Sequence, residues 1–339
     1  MRRRNHAGFS ALSRPIPVIV VGFRNPEDIL GCLDALARAA AEPAFDVHVC
    51  ENGGPAAFDA LCAALAGRHA ETAPEPWPGA GFLRLRRFAL GGRAASIHVG
   101  EAPDNLGYGG GINAWLRPLA AAGGWPGAWI LNPDTQPAPD ALAAMLACAA
   151  RSAKGMVGSV IVDPDRPRLV RTRGLRWDRW RGQVMAVDRG RPLTPAPEAV
   201  ELDSPSGASL YVTAACLARI GLPEDRYFLY YEDLEWGLRA KAAGELVHCP
   251  QAVVFHAGGT TIGSGHARRA PSPLAAYLEF RNRLHFVRGA HPAWLPWTIG
   301  TSALRLLRHG ARGEGRAMRA GFAGMRAALR GEWGRAFPP

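Results

Sequence analysis

Trp129 to Thr135 reads W-I-L-N-P-D-T. It is a short apolar strand, with Ala128 leading in, that stops at Asn132-Pro133-Asp134. Proline has no amide hydrogen to give a central ladder and biases the preceding residue toward extended geometry, so a carboxylate is left at the carboxyl end of a buried strand. In open α/β sheets, ligands bind beyond that end of the strands. Taken alone, N-P-D is also a common turn.

Upstream, Pro17 to Phe23 (P-V-I-V-V-G-F) is a β-branched run that predicts a buried parallel strand. Asn25-Pro26-Glu27-Asp28 opens a helix, because proline suits the first turn and acidic residues favour the amino end. A second strand, Asp46 to Cys50, ends in Glu51-Asn52-Gly53-Gly54, and a helix follows from Ala56 to Leu65. Residues 67 to 96 mix proline, glycine and arginine and are expected to be a loop or irregular insertion. Ser96 to Gly100 is a third strand, leading into the glycine-rich turn Asp104 to Asn113 ahead of a helix. Asp140 to Ala150 predicts a helix and Met156 to Val162 a strand. This alternation implies an α/β fold with a mostly parallel central sheet flanked by helices.

The second half differs. Leu169 to Val187 suggests an antiparallel hairpin, Ser206 to Thr213 a strand, and Ala214 to Ile220 a short helix. Glu232 to Ala243 reads as a helix stopped by Gly244. Glu245 to Cys249 and Ala252 to His256 are further extended pieces, and Gly258 to Gly265 is expected to be flexible. From Pro273 the chain is helical, and Ala293 to Leu307 is apolar before it turns basic and alanine-rich. That stretch is too short to span a bilayer but fits an interfacial helix anchored by Trp294, Trp297 and arginines, or a helix packed on the main domain.

Composition narrows the function classes. The 339 residues carry 40 basic and 29 acidic side chains, a net charge of +11, which favours anionic partners or reflects an arginine-rich solvated surface. The six cysteines (32, 50, 62, 148, 216, 249) form no C-x-x-C pair, so neither a zinc knuckle nor a disulfide framework is expected. Residues 1 to 14 are basic without a signal-peptide core, and no transmembrane run is found. A cytoplasmic protein is expected, peripheral on the inner face of the membrane if its tail binds lipid.

Four places could carry chemistry. Asp134 is a hard oxygen ligand at a strand end, and a cation bridging two phosphates needs only one or two carboxylates from the protein. Asn132 beside it can bond sugar or ribose hydroxyls. Glu232 and Asp233 open a helix, where one of them could simply cap, yet a carboxylate facing a cleft from a helix start can also act as a general base. His256 ends an apolar strand before Gly258 and Gly259; it is either structural or a ligand where backbone approaches a diphosphate. The glycines of 104–113 could admit a phosphate, although no Walker loop follows and G-x-G-x-x-G is not matched.

Taken in order, P-V-I-V-V-G-F, V-C-E-N-G-G, D-N-L-G-Y-G-G-G-I-N, L-N-P-D-T, R-Y-F-L-Y-Y-E-D-L-E-W-G-L-R-A-K-A-A-G and V-V-F-H-A-G-G resemble the family 2 glycosyltransferases of GT-A, Rossmann-like fold. The likeness is strongest to the bacterial rhamnosyltransferase-like and galactofuranosyltransferase-like branch. It covers residues 15 to 265 (15–150 a nucleotide-sugar half, 151–265 an acceptor half), after a basic tail of 1–14 and before a helical extension of 266–339 in which Arg281-Asn282 also fits the branch.

The resemblance implies inverting transfer from a nucleoside-diphosphate sugar, such as dTDP-rhamnose or a UDP-sugar, to a hydroxyl of a glycan or lipid-linked glycan in surface polysaccharide synthesis, with Mg2+ or Mn2+ as cofactor. By that likeness Asp134 and His256 are metal ligands and Asp233 is the catalytic base. Glu51, Asn52, Asp104, Asn105, Gly107, Gly110, Asn113 and Asn132 would line the donor, with Glu232, Trp236 and Arg239 on the substrate side of the acidic helix. Asn132 and Glu51 depart from the aspartates the family usually has there. One alternative is a non-catalytic basic surface-binding protein, but the arginines are scattered and match no nucleic-acid module, so no nucleic-acid partner is expected. The other is a sugar nucleotidyltransferase, which would show a glycine-rich loop with arginine and lysine where this chain has G-F-R-N-P-E-D.

Overall fold

A computed structural model describes residues 14–195, 200–258 and 271–335. In chain order, the first half contributes β1 (Ile16–Gly22), α1 (Pro26–Ala37), β2 (Phe45–Glu51), α2 (Pro55–Ala66), β3 (Glu71–Thr72), β4 (Leu85–Ala89), β5 (Ser96–Glu101), α3 (Gly107–Ala122), β6 (Gly127–Leu131), β7 (Thr135–Pro137), α4 (Ala141–Ser152) and β8 (Met156–Val162). The second half adds β9 (Val170–Thr172), β10 (Leu175–Asp178), β11 (Gln183–Ala186), β12 (Ser209–Thr213), α5 (Ala214–Ile220), α6 (Glu232–Ala242), β13 (Leu246–His256), α7 (Pro273–Ala290), α8 (Leu295–Ala311) and α9 (Gly315–Leu329).

One sheet holds the molecule together, in the order β3-β4-β5-β2-β1-β6-β12-β8-β13-β7, with β9 paired to β8. Strands β1, β2, β5, β6, β8 and β13 run in one direction, and β12 runs against them between β6 and β8. The aliphatic runs of β1, β6 and β8 are buried on both faces, as central parallel strands under helices require. Chain order reverses between β1 and β6: β2 and β5 lie on one side of β1, and β6 lies on the other. That switch opens a crevice at the carboxyl ends of β1, β2 and β6, where Phe23, Asn52 and Asn132 follow the strands. Because β12 is antiparallel, its amino end comes to the same rim, and the Asn132 amide donates to the Ala208 carbonyl (2.9 Å).

Three expectations need correction. Residues 67–96 are not merely irregular, since β3 and β4 extend the sheet as an antiparallel edge. The two extended pieces before His256 form the single strand β13, with a register shift between His248 and Val253. The glycines of 109–111 lie within α3 rather than ahead of it. Of the stretch expected to be flexible, Gly258 alone is among the described residues. All six cysteines are buried free thiols, and among the described residues no helix is long and apolar enough to cross a membrane.

Candidate active site

At the carboxyl end of β6 the Asp134 carboxylate meets the end of β13. Its Oδ1 lies 3.0 Å from His256 Nε2, and its Oδ2 accepts the Gly258 amide (3.0 Å). Burial pushes this carboxyl upward, but the His256 bond and charge, with the Gly258 amide, bring it below its ordinary value. The Asn132 Nδ2 lies 3.4 Å from the same imidazole nitrogen, and its Oδ1 is buried without a hydrogen-bond partner. Among the described residues no group of three or more His, Cys, Asp or Glu side chains could hold a metal. One carboxylate, one imidazole and one orphaned amide oxygen therefore converge here, which fits a hard cation that takes its other ligands from a diphosphate and water.

Across the crevice, Glu51 ends β2 fully buried. Its Oε1 accepts the amides of Gly53 (2.7 Å) and Arg24 (3.1 Å), while Oε2 has no partner. Burial raises its pKa in spite of those amides. Asn52 is used by the fold: it donates to the Gly107 carbonyl (2.9 Å) and accepts from the Leu106 amide (3.3 Å).

The second acidic centre is built on strained backbone. Phe228, Tyr230 and Tyr231 take φ of 68°, 70° and 77°, in the left-handed region that costs a non-glycine residue roughly 1–2 kcal/mol. A clamp from α7 holds them there. Asn282 Nδ2 donates to the carbonyls of Tyr227 (2.9 Å), Leu229 (2.7 Å) and Tyr230 (3.1 Å), and the Arg281 guanidinium reaches the Tyr227 carbonyl (3.0 Å). At about 0.5–1.5 kcal/mol net for each bond, these contacts are of the size needed to offset that strain. Gly107 (φ 73°) is required on the other side, since a Cβ there would lie 2.2 Å from the Phe228 carbonyl oxygen.

The strained turn delivers Glu232 and Asp233 to the amino end of α6. Asp233 Oδ2 accepts the Gly207 amide (3.0 Å) and Oδ1 the Leu234 amide (2.8 Å). Glu232 Oε2 is buried without a partner. Burial, then the neighbouring Asp233 charge, pushes Glu232 up to about 8; burial also raises Asp233, against the pull of its amides. Two amide donors favour charge on Asp233, whereas Glu232 Oε2 has no donor to hold a charge. Tyr108, on α3, ties the centres together. Its hydroxyl donates to the Gly207 carbonyl (2.6 Å), and burial, then the charges of Glu232, Asp233 and Asp134, holds its pKa far above the ordinary value.

Glu232 and Asp233 line a cavity of about 630 Å³. Arg171 of β9, Arg189 from the turn after β11, Arg283 of α7 and Arg305 of α8 also line it. Arg171 also donates to the carbonyls of His256 (2.9 Å) and Ala257 (3.0 Å), so it joins the cavity to the Asp134 side. Sequence reasoning missed Tyr108, Arg171 and the work of the Arg281-Asn282 pair, although the left-handed turn they support has no signature in F-L-Y-Y.

Several residues expected to touch substrate do not face the crevice. Trp236 is in the core and donates to the Gly221 carbonyl (2.9 Å), because position 236 falls on the face of α6 packed toward α5. Arg239, one turn on, pairs with Glu235 (2.8 Å) and holds the carbonyls of Ile220 and Leu222. Asn113 donates to the Pro223 carbonyl (3.0 Å) and to Asp225 (3.1 Å). Gly110 packs against Leu106 and Asp225, where a Cβ would come 2.9 Å from Leu106. Asp104 is exposed and pairs with Arg335 (3.2 Å), and Asn105 caps the Gly107 amide (3.0 Å).

Over 241 residues the chain is 32% identical to the N-acetylglucosaminyl-diphospho-decaprenol L-rhamnosyltransferase of Mycobacterium tuberculosis, a match that spans 63% of this chain and 75% of the relative. The chain belongs to the rhamnosyltransferase-like family 2 glycosyltransferases. No family model matches it. The glycosyltransferase has the GT-A fold. The mannosyltransferase PcManGT of Pyrobaculum calidifontis, solved with GDP-Man and Mn2+, aligns over 94% of this chain and 88% of its own, with a TM-score of 0.51 at 15% identity. GalNAc-T7, solved with UDP, GalNAc and Mn2+, aligns over 82% of this chain and 48% of its own, with a TM-score of 0.53 at 11% identity.

Proposed function

We propose that this glycosyltransferase moves a deoxyhexose of the rhamnose type from a nucleoside-diphosphate donor to a hydroxyl of a lipid-diphosphate-linked glycan, with inversion at the anomeric carbon. The donor and acceptor classes rest on the name of the Mycobacterium tuberculosis relative. The chemistry rests on one observation: the Asn132 amide, beside Asp134, donates to the Ala208 carbonyl, and the adjoining Gly207 amide donates to Asp233, so both acidic centres stand at one rim of the sheet.

Asp134, His256 and the Asn132 amide oxygen would hold Mg2+ or Mn2+. When bound, such a cation neutralises the charge that builds on the departing diphosphate. The free Glu51 Oε2 takes a hydroxyl or N–H of the nucleoside, and the Arg24 and Gly53 amides fix the other oxygen so that the longer side chain still ends in one place. Asp233 removes the acceptor hydroxyl proton as that oxygen bonds to the anomeric carbon. The carbon–oxygen bond to the nucleoside diphosphate breaks on the opposite side and its electron pair leaves with the diphosphate. Glu232, by keeping its proton, leaves Asp233 the charged member of the pair and so the base. An acceptor of this class lies at a membrane surface, where the enzyme has to meet it.

A thermal-shift screen of dTDP-rhamnose and UDP-sugars, with and without manganese, tests this reading, because a ligand that binds only the folded state raises the melting temperature. A manganese-dependent rise that Asp134→Ala abolishes is expected. A rise undiminished in that variant, or none with any donor, overturns the assignment of the metal and donor site.

A further inference from the structure

Seven large apolar side chains are exposed in the described structure, and six of them lie on three neighbouring elements, the β10–β11 hairpin, α8 and α9. Trp297 (51% exposed), Leu304 (49%) and Leu307 (57%) project from α8, Phe322 (38%) and Leu329 (55%) from α9, and Trp180 (64%) from the tip of the β10–β11 hairpin. At about 3.6 residues per turn, positions 297, 304 and 307 share one stripe, as do 322 and 329. The inner sides of both helices are buried: Leu306 packs against Phe280 of α7, and Gly324 lies so close to α7 that a Cβ would sit 2.2 Å from the Tyr277 carbonyl. The hairpin is tied into the same surface, because Trp297 Nε1 donates to the Trp180 carbonyl (2.8 Å) and the Trp180 ring meets Trp294 at 4.8 Å.

Charge surrounds the apolar stripe. From Leu295 to Arg330 the chain holds seven arginines and a single acidic residue, Glu314, which is taken by His309. Among the described residues no carboxylate pairs with Arg308, Arg312, Arg316, Arg319 or Arg326, all exposed on or between α8 and α9. Arg179, at the hairpin tip, stacks on Trp180 and Trp294.

We infer that the outer face of α8 and α9, with Trp180, is a docking surface for an anionic lipid bilayer. Tryptophan and leucine enter the headgroup boundary while arginines at the margin meet lipid phosphates, the arrangement of an interfacial helix pair. A second copy of the chain is a poor occupant, since self-pairing of this face would set arginines against arginines. The same helix lines the Glu232-Asp233 cavity: Arg305 of α8 is among its lining residues and donates to Gln183 of the hairpin (3.0 Å). Docking therefore lays the cavity beside the lipid surface. The docking face follows from its own residues and stands even with a water-soluble acceptor; only the benefit of that orientation rests on the acceptor proposed above.

Vesicle flotation of the purified full chain is the test, using phosphatidylcholine alone or mixed with phosphatidylglycerol. The protein should float with the anionic vesicles and stay behind with the neutral ones. Leu304→Glu/Leu307→Glu should lower binding about tenfold or more, and Arg308→Glu/Arg312→Glu by a similar factor that added salt mimics in the wild type. Both variants should keep the manganese-dependent thermal shift with donor, which shows that they are folded and that a lost membrane face is separable from a failed donor site. Wild-type protein that floats with neither vesicle, or a Leu304→Glu/Leu307→Glu protein that floats like wild type, overturns the inference. A wild-type dimer in sedimentation that this double variant dissociates, without any vesicle binding, would overturn it in favour of self-association.

Discussion

Asp134 and Asp233 stand at the same rim of one sheet, and their surroundings treat them in opposite ways. Asp134 follows directly from β6, and a histidine and one amide hold it below its ordinary pKa. Asp233 follows three left-handed residues, sits beside a second buried carboxylate and is raised. The first centre is poised to stay charged, as the proposed cation ligand must be. The second is poised to exchange a proton, and it depends on contacts from more than fifty positions away for its shape.

Breaking the acidic corner outright should have the largest effect. Asp233→Asn is expected to reduce transfer by at least about 10²–10⁴-fold while the donor-induced thermal shift survives. Lost donor binding with residual turnover would instead place Asp233 among the donor contacts. Next comes the clamp. Asn282→Ala removes the bonds from α7 to the Leu229 and Tyr230 carbonyls and leaves the Tyr227 carbonyl to Arg281, and should cost roughly 2–4 kcal/mol in chemical denaturation. Its kcat should fall about 10–100-fold with the donor KM unchanged, because the turn moves and the β6 centre does not.

Glu232→Gln sharpens the electrostatic half of the contrast. A glutamate pushed up to about 8 when folded, against an ordinary 4.5, makes the unfolded chain bind fewer protons between those values, so stability falls as pH rises through that window. The glutamine variant should lose most of that fall, read as the melting temperature between pH 5 and 8 (about the window of the shift). A pH profile identical to wild type would mean that Glu232 is ionised throughout. The smallest effect is expected at Arg239→Ala. Kinetic constants for donor and acceptor should stay within about twofold, with a loss of roughly 1–2 kcal/mol in stability from its bonds to Glu235, Ile220 and Leu222.

The same contrast explains what could be read without coordinates. Strand β6, its N-P-D terminus and the β-branched runs of β1 and β8 announce themselves by local chemistry, so the parallel core and Asp134 were legible. His256 was legible as the end of β13, although nothing local tells how close two strand ends come. The corner at 228–233 was half legible. Its acidic residues stand out, but F-L-Y-Y does not show a turn in which Phe228, Tyr230 and Tyr231 are left-handed, because the cause lies in Asn282 and in the close approach of Gly107. Trp236 and Arg239 misled for a related reason: the motif places them beside Asp233 in sequence, but helical spacing turns them toward α5. The edge strands within 67–96 were hidden by their glycines and prolines, since a short edge strand needs little periodic pattern of its own.

The position of the clamp also sets an order of assembly. A ribosome delivers β1, β2 and β6 well before α7, and domains commonly begin to fold from the amino terminus as they emerge. The crevice proposed to receive a nucleotide sugar can thus begin to form on a nascent chain whose strained turn at 228–231 still lacks Arg281 and Asn282 to hold it. Under the proposed function, a chain truncated before α7 would therefore hold donor without spending it.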